Sequence, residues 1–327
     1  MAKQDIHSIL LITLSNIGDA VMTTPVMSAL HKKYPLAVMD IVADARSSEM
    51  FRHCPYRDEI FLKDKQAGWQ GLIRLARQLR RKRYDLVVDL RTDGLTLLLR
   101  ARRCLTRRGH RAAGVHAVQR HFAVIGSREG ISEIPATRVW LSQHEQAFAR
   151  RQLAVLPGTR WLVLGPGARW ASKCWPLTSF EALVERLQPQ FDGVVLLGDT
   201  NDTDNCQQLA EHVALPCLNL AGKTDLLEAA AILEQAALFI GNDSGLGHLA
   251  AACDTPTFTV FGPGDPHRYH PWHPQARWLQ SNSGDIADVA VDEVAAAISG
   301  FHAPAWEPEK NILPRKHTEK RGRKIPE

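Results

Sequence analysis

The sequence predicts an α/β protein built from two successive, doubly wound parallel sheets. Three observations carry that expectation. The chain has 327 residues, enough for two domains of about 150 each. Short apolar runs alternate with amphipathic segments along its length, the β-α-β rhythm of a parallel sheet. The rhythm pauses at Pro157-Gly158-Thr159 and then restarts. The expected division is therefore residues 1–156, residues 157–303, and a basic tail over residues 304–327.

In the first half, Ser8–Leu14 reads as a strand and Asp19–Lys33 as a helix. Val38–Ala43 and Glu59–Leu62 follow as strands, Gly68–Arg83 as an amphipathic helix and Asp85–Leu90 as another strand. Gly109–Gly130 reads as short extended pieces with Gly and basic residues, and Gln143–Leu156 as a helix. The second half gives strands at Trp161–Leu164, Gly193–Leu197, Pro216–Leu220, Ala237–Ile240 and Thr257–Phe261. Helices are expected at Thr178–Leu187, opened by a Thr178/Glu181 capping box, and at Asn205–Val213. Further helices are expected at Asp225–Gln235, begun at Thr224, at Gly245–Cys253 and at Ile286–Ile298. Ligands of open α/β sheets bind beyond the carboxyl ends of the strands, so two such sheets point to a cleft between them.

Composition narrows the class. Hydrophobic residues are 45% and charged residues 23%, which excludes a disordered, collagenous or coiled-coil chain. No apolar run is long enough for a membrane span, and the N-terminal run is cut short by Ser15, Asn16 and Asp19, which argues against a secretory signal. The expected compartment is the cytoplasm. Six scattered cysteines form no CxxC and no zinc spacing, as free thiols in a reducing compartment would. Net charge is +5, but Arg74–Arg111 alone carries thirteen Lys/Arg against three Asp, and Lys310–Glu327 seven against two Glu. Two basic blocks on an acidic body point to an anionic partner, such as a phosphorylated substrate or a membrane surface.

Three strand-end motifs carry the chemistry. Ser15-Asn16-Ile17-Gly18-Asp19 follows the first strand, with Gly18 permitting a tight turn and Asp19 at a helix start, either as a helix cap or as a carboxylate at the cleft. Gly165-Pro166-Gly167-Ala168 leads to Lys173-Cys174-Trp175-Pro176. Backbone N–H groups and a lysine there suit phosphate, although neither GxxxxGK[ST] nor GxGxxG is present. Asn242-Asp243-Ser244-Gly245-Leu246-Gly247-His248 opens a helix with a first turn of small residues, a natural diphosphate site.

Together with Ala221-Gly222-Lys223-Thr224 and the Phe261-Gly262-Pro263 turn, these motifs resemble the family 9 glycosyltransferases, the bacterial lipopolysaccharide heptosyltransferases, over about residues 8–300. The resemblance implies a GT-B architecture, two Rossmann-like domains facing a central cleft, with acceptor on the first and nucleotide-sugar on the second. It implies inverting transfer of heptose from ADP-heptose with neither metal nor cofactor. Asp19 falls on the family's catalytic carboxylate and Lys173 on the residue at the donor diphosphate. Thr224 falls where the adenine edge is read, and Asp243 where sugar hydroxyls are held. Ser244, Gly245 and His248 fall where the helix start meets the donor. An acidic residue facing the ribose is expected among Asp199, Asp202 and Asp204, with Asp202 favoured. Gly167-Ala168 stands where some members carry two threonines. Gly18, Arg91, Arg111 and Arg120 are the acceptor-side candidates, facing a phosphorylated lipopolysaccharide core at the anionic inner membrane face. Asp202-Thr203-Asp204 also has the form of a metal-binding DxD. Another two-domain nucleotide-sugar enzyme, such as an epimerase, and a basic nucleic-acid-binding protein are the competing readings. Neither basic block interleaves aromatics as a nucleic-acid binder would, so no nucleic acid partner is expected.

Overall fold

A computed structural model describes residues 6–64, 66–91, 94–107 and 114–299. The first half contains β1 (Ser8–Ile12), α1 (Ile17–Val21), α2 (Thr24–Lys33), β2 (Val38–Ala43), α3 (Ala45–Ser48) and β3 (Arg57–Leu62). It continues with α4 (Gly68–Leu79), β4 (Tyr84–Asp89), β5 (Ala101–Thr106), α5 (Ala117–Phe122), α6 (Gly126–Glu129) and α7 (Gln143–Leu153). The second half holds β6 (Trp161–Gly165), α8 (Leu177–Leu187), β7 (Gly193–Leu196), α9 (Thr203–His212), β8 (Cys217–Asn219) and α10 (Leu226–Glu234). It closes with β9 (Leu238–Asn242), α11 (Gly245–Ala252), β10 (Thr257–Phe261), α12 (Pro266–Tyr269), β11 (Ala276–Gln280) and α13 (Val291–Ser299).

Two parallel sheets result, ordered β3-β2-β1-β4-β5 and β11-β10-β9-β6-β7-β8. The central strands are largely apolar between their ends because helices cover both faces. Strand order reverses beside β1 in the first sheet and between β6 and β9 in the second, where Gly165 is in register with Gly241. These reversals open crevices at the strand ends that carry the three motifs. One apolar cluster joins the two halves, running from Ile9 and Leu11 through Leu30 and Phe51 to Leu227, Leu233 and Ala250. The linking helix α7 lies on α10, so the last helix before the Pro157 joint packs with the second half.

Several expected elements differ. The helix expected over Asp19–Lys33 is two helices. Pro25 has no N–H for the Val21 carbonyl, and Thr24 Oγ1 donates to it instead at 2.8 Å. The described part of Gly109–Gly130 carries two short helices, α5 and α6, rather than extended pieces. His116 caps α5, accepting from the Val118 N–H at 3.2 Å, while Gln119 Oε1 accepts from the His116 N–H at 3.1 Å. The edge strands β5 and β11 add to the expected set; Arg102 and Arg103 break the apolar run of β5, and Arg277 that of β11. The Thr178/Glu181 capping box does not form, since α8 starts after Pro176 without a side-chain cap. The helix α10 is capped by Asp225 and not begun at Thr224. The Asp225 carboxylate accepts from the Leu227 and Glu228 N–H groups, and Glu228 returns the bond. The basic tail lies outside the described residues.

Removing the Asp225 cap should therefore lower stability by about 1 kcal/mol, whereas Thr178→Ala should stay within roughly 0.5 kcal/mol of the parent. Urea unfolding of Asp225→Ala and Thr178→Ala side by side checks the assignment, and the reverse order would refute it.

Candidate active site

The three motifs converge where the two halves meet. After β1 the chain turns directly into α1, whose N-terminal flank is Asn16. Asp19 lies in the first turn and caps nothing. The Asn16 side-chain amide donates to Asp19 Oδ2 at 2.9 Å, and Oδ1 has no protein partner among the described residues. The half-buried carboxylate is oriented by one bond and keeps one oxygen for another proton.

α1 rests on the start of α11. A Cβ on Gly18 would lie 2.5 Å from the His248 ring, and one on Gly245 would meet Ile17 at 3.3 Å. Only glycine permits this approach, which carries Asp19 from one half onto the α11 terminus of the other. His248 is 6% exposed. Burial pushes its imidazole below the ordinary value, against the pull of the Asp243 and Asp19 carboxylates, so the ring is neutral between two acids. No side chain caps α11, and Ser244 Oγ and His248 Nδ1 are buried without hydrogen-bond partners. A helix start with open N–H groups and orphaned polar atoms is built for an anionic ligand.

The strand-end loops of β6 and β9 complete this side. Lys173 and Asp243 form an ion pair, both largely withdrawn from solvent. Asn242, fully buried, binds the two loops together. Its Oδ1 accepts from the Trp175 N–H at 3.1 Å and its Nδ2 donates to the Pro166 carbonyl at 2.6 Å. The Trp175 indole N–H reaches the Val289 carbonyl at 3.0 Å. A Cβ on Gly264 would fall 2.7 Å from Asp243 Oδ2, so the turn after β10 closes over the same carboxylate.

Asp202 begins α9 and lies over the glycine loop. A Cβ on Gly167 would be 2.0 Å from its Oδ1, and one on Gly198 2.6 Å from its Cβ. Its Oδ2 accepts from the Asp199 N–H at 2.9 Å. Burial raises the Asp202 carboxyl while that hydrogen bond lowers it. Asp199 holds the Asn201 backbone and amide, and Asp204 is exposed on α9, which leaves Asp202 as the acid at the loop. Ala168 lends its carbonyl to the Cys174 thiol at 3.9 Å. Thr224 is half-buried beyond Gly222, whose φ of +69° makes that tight turn a glycine position.

The acceptor-side candidates are dispersed. Arg91 pairs with Asp44 at 3.1 Å, at the ends of β4 and β2. Arg120 is half-buried on α5 with its Nε unpartnered. Arg111 lies outside the described residues. Among the described residues no three His, Cys, Asp or Glu side chains gather as a metal-binding group.

Two features were not read from the sequence. Asn242 is a tether whose only signal is an amide at the end of an apolar strand. The other is a seam of His116, His270 and Trp272 joining α5 to the chain after α12. His116 Nε2 donates to the His270 carbonyl at 2.9 Å, and its ring centroid lies 4.4 Å from that of His270 and 4.7 Å from that of Trp272.

A family model described as glycosyltransferase family 9 (heptosyltransferase) matches residues 99–296. The chain is 32% identical over 288 residues to lipopolysaccharide heptosyltransferase 3 of Escherichia coli (strain K12), across 78% of this chain and 82% of that protein. It is 29% identical over 296 residues to lipopolysaccharide heptosyltransferase 1 of Pseudomonas aeruginosa, across 79% of each. The solved structure of E. coli ADP-heptose lipopolysaccharide heptosyltransferase II matches with a TM-score of 0.75 at 23% identity, over 89% of this chain and 97% of that one. A family 9 glycosyl transferase from Veillonella parvula gives 0.80 at 20% identity, over 90% and 97%. At such identities the two structures speak for the fold alone, and that fold is GT-B.

The buried histidines set a pH limit on stability. Burial first, then the charges of Arg107 and Arg120, lowers His121 to about 3, and burial lowers His116 to about 4 against the raising effect of its bond to the His270 carbonyl. Both are neutral when folded at pH 5 and take up protons on unfolding. Their contribution is complete above the unfolded value of about 6.5 and is lost as pH falls towards 4, at about 1.4 kcal/mol per pH unit for each. Glu145 acts lower. Burial alone would raise it, but bonds from Ser142 hold it down to about 2, so its share is lost only below the ordinary glutamate range. Urea midpoints should drop steadily from pH 6.5 to 4.5, and a flat profile would contradict neutral buried histidines.

Proposed function

The chain belongs to glycosyltransferase family 9, and we propose that it transfers heptose from ADP-heptose to the phosphorylated core oligosaccharide of lipopolysaccharide, with inversion and without a metal. The observation that carries this reading is the meeting of Asp19, Lys173, Asp243 and the uncapped start of α11 at the seam between the two halves. The lipopolysaccharide heptosyltransferase names of the relatives support the sugar and the acceptor.

The chemistry follows from the residues. The acceptor hydroxyl attacks the anomeric carbon as the bond from that carbon to the diphosphate oxygen breaks. Asp19 accepts the hydroxyl proton, and ADP departs with the bonding electrons. Negative charge grows on the leaving diphosphate, where Lys173 and the α11 N–H groups stabilise it. Lys173 is held by Asp243 before donor binds. Donor phosphate then competes for the ammonium, and Asp243 turns to the sugar hydroxyls. Asp202, over Gly167, faces the ribose, and Thr224 meets the adenine. Gly18, Arg91, Arg111 and Arg120 serve the acceptor side.

We place the acceptor at the cytoplasmic face of an anionic membrane. No helix among the described residues is long and apolar enough to cross one. Arg74 and Arg77 are exposed on α4 and Arg80 just after it, and the turn against that helix exposes Leu97 at 79%. Such a cationic and apolar face suits a charged leaflet.

Asp19→Asn should lower turnover by roughly 100-fold or more while ADP binding stays within a few-fold, and EDTA should leave the parent's turnover unchanged. Near-normal turnover of the variant would remove Asp19 as the base. Loss with EDTA that magnesium or manganese restores would instead bring in a metal. Deleting the chain from Lys310 onward should weaken binding to anionic liposomes at low salt, since each cation near the leaflet contributes about 1 kcal/mol. Turnover on a short soluble acceptor should persist, and its collapse would mean that the tail packs into the fold.

A further inference from the structure

His116 uses both nitrogens of its ring, and the two bonds have different jobs. Nδ1 accepts from the Val118 N–H at 3.2 Å and so caps α5. Nε2 reaches the other half of the chain and donates to the His270 carbonyl at 2.9 Å. A carbonyl only accepts, so the proton is on Nε2 and the lone pair on Nδ1. The ring is 3% exposed and packs on those of His270 and Trp272. Bonding therefore fixes one neutral tautomer, and packing restricts its tilt.

This seam touches the element that carries the acid. Met22 directly follows α1, about one helical turn beyond Asp19. It is buried with Ala117 and Val118 of α5, and Tyr269 and Trp272 pack against that cluster. The Trp272 carbonyl accepts from the Thr137 hydroxyl at 3.2 Å, which ties the same segment to the chain leading into α7. α1 is thus gripped twice. Near its start Gly18 lies against His248 of α11. At its end it meets a cluster shared by α5 and the chain after α12. The first grip sets a distance and leaves α1 free to roll about the glycine; the second, one turn on, removes the roll. Asp19 is bonded only within its own turn, by Asn16, among the described residues, so its place follows that of α1. Apolar packing is non-directional. The His116–His270 hydrogen bond adds a defined length and direction, and a buried donor left without it costs stability.

We propose that His116 is a positioning residue: in its Nε2–H tautomer it bolts α5 to the chain after α12, and through Met22 and Trp272 it holds α1 so that the Asp19 carboxylate stays at the start of α11. As a contribution to turnover this rests on the glycosyl-transfer reading; as a bolt between the two halves it does not. Lys173, Asp243 and α11 all belong to the second half and need no bolt. Donor binding and turnover should therefore respond differently to its loss.

Two amides separate the ring's two jobs in the full chain. In His116→Asn the side-chain oxygen takes the place of Nδ1 and caps α5, but the amide is too short to reach the His270 carbonyl. In His116→Gln the longer amide reaches as Nε2 does and gives up the cap. His116→Asn should lower turnover roughly tenfold through a misplaced Asp19, with ADP affinity and donor KM within about twofold of the parent. His116→Gln, although the poorer cap, should recover turnover to within about threefold. His116→Ser, another cap without reach, replaces the asparagine variant if that one does not fold. Amide hydrogen exchange on the same proteins is read without any transfer: over α1 and residues 270–272 it should be several-fold faster in the asparagine variant than in the glutamine variant. Parent-like turnover and exchange in His116→Asn, or a glutamine variant worse than the asparagine one, would reduce His116 to a helix cap and overturn the proposal. Equal losses of ADP binding and turnover would mean a general loosening of the fold and would overturn it too. If the parent transfers no heptose while exchange over α1 still follows the missing bond, the bolt stands and the transfer reading falls.

Discussion

The site depends on one close approach, that of α1 to the start of α11. A side chain on Gly18 would strike a buried histidine ring at 2.5 Å, and the ring has little room to yield. Without that contact Asp19 would belong to one sheet, and Lys173, Asp243 and Ser244 to the other. With it, an acid and an uncapped helix start share one small volume. The approach is backed by apolar surface that continues from the first sheet into α10 and α11, so docking the halves is part of forming the core.

The polar groups around this contact are unevenly satisfied. Asn242 has both ends of its amide bonded, and it stiffens the two loops that carry Lys173 and Asp243. Ser244 Oγ and His248 Nδ1, by contrast, are buried and unbonded. Buried orphans cost stability, and here they cluster where a ligand's oxygens would restore the missing bonds. The rigid part of the site is thus complete in itself, while its ligand-facing part is not.

Much of this was legible in the sequence. The central strands are apolar on both faces, so β1, β2, β4, β6, β7, β9 and β10 stand out without knowledge of their partners. The glycine turns at Gly18, Gly167 and Gly245 stand out because small residues at strand ends are rare without a backbone reason. The edge strands β5 and β11 were hidden by Arg102, Arg103 and Arg277, which break their apolar runs, and α5 by its six-residue length and a histidine cap. The helix start at Asp225 was misread by one residue because Thr224 and Asp225 are both good caps, and only the bond to Leu227 decides between them.

The sequence by itself determined the two parallel sheets, the order of their strand-end motifs and the residue types that favour phosphate, since each depends on local pattern and turn chemistry. The tertiary structure alone decided which of these residues share a site. His116 and His270 are 154 positions apart, Lys173 and Asp243 70, and Trp175 and Asn242 67. Such pairings come from how two independently patterned sheets dock, and docking is governed by the shape of packed surfaces, such as the bare flank of Gly18, which no local periodicity encodes.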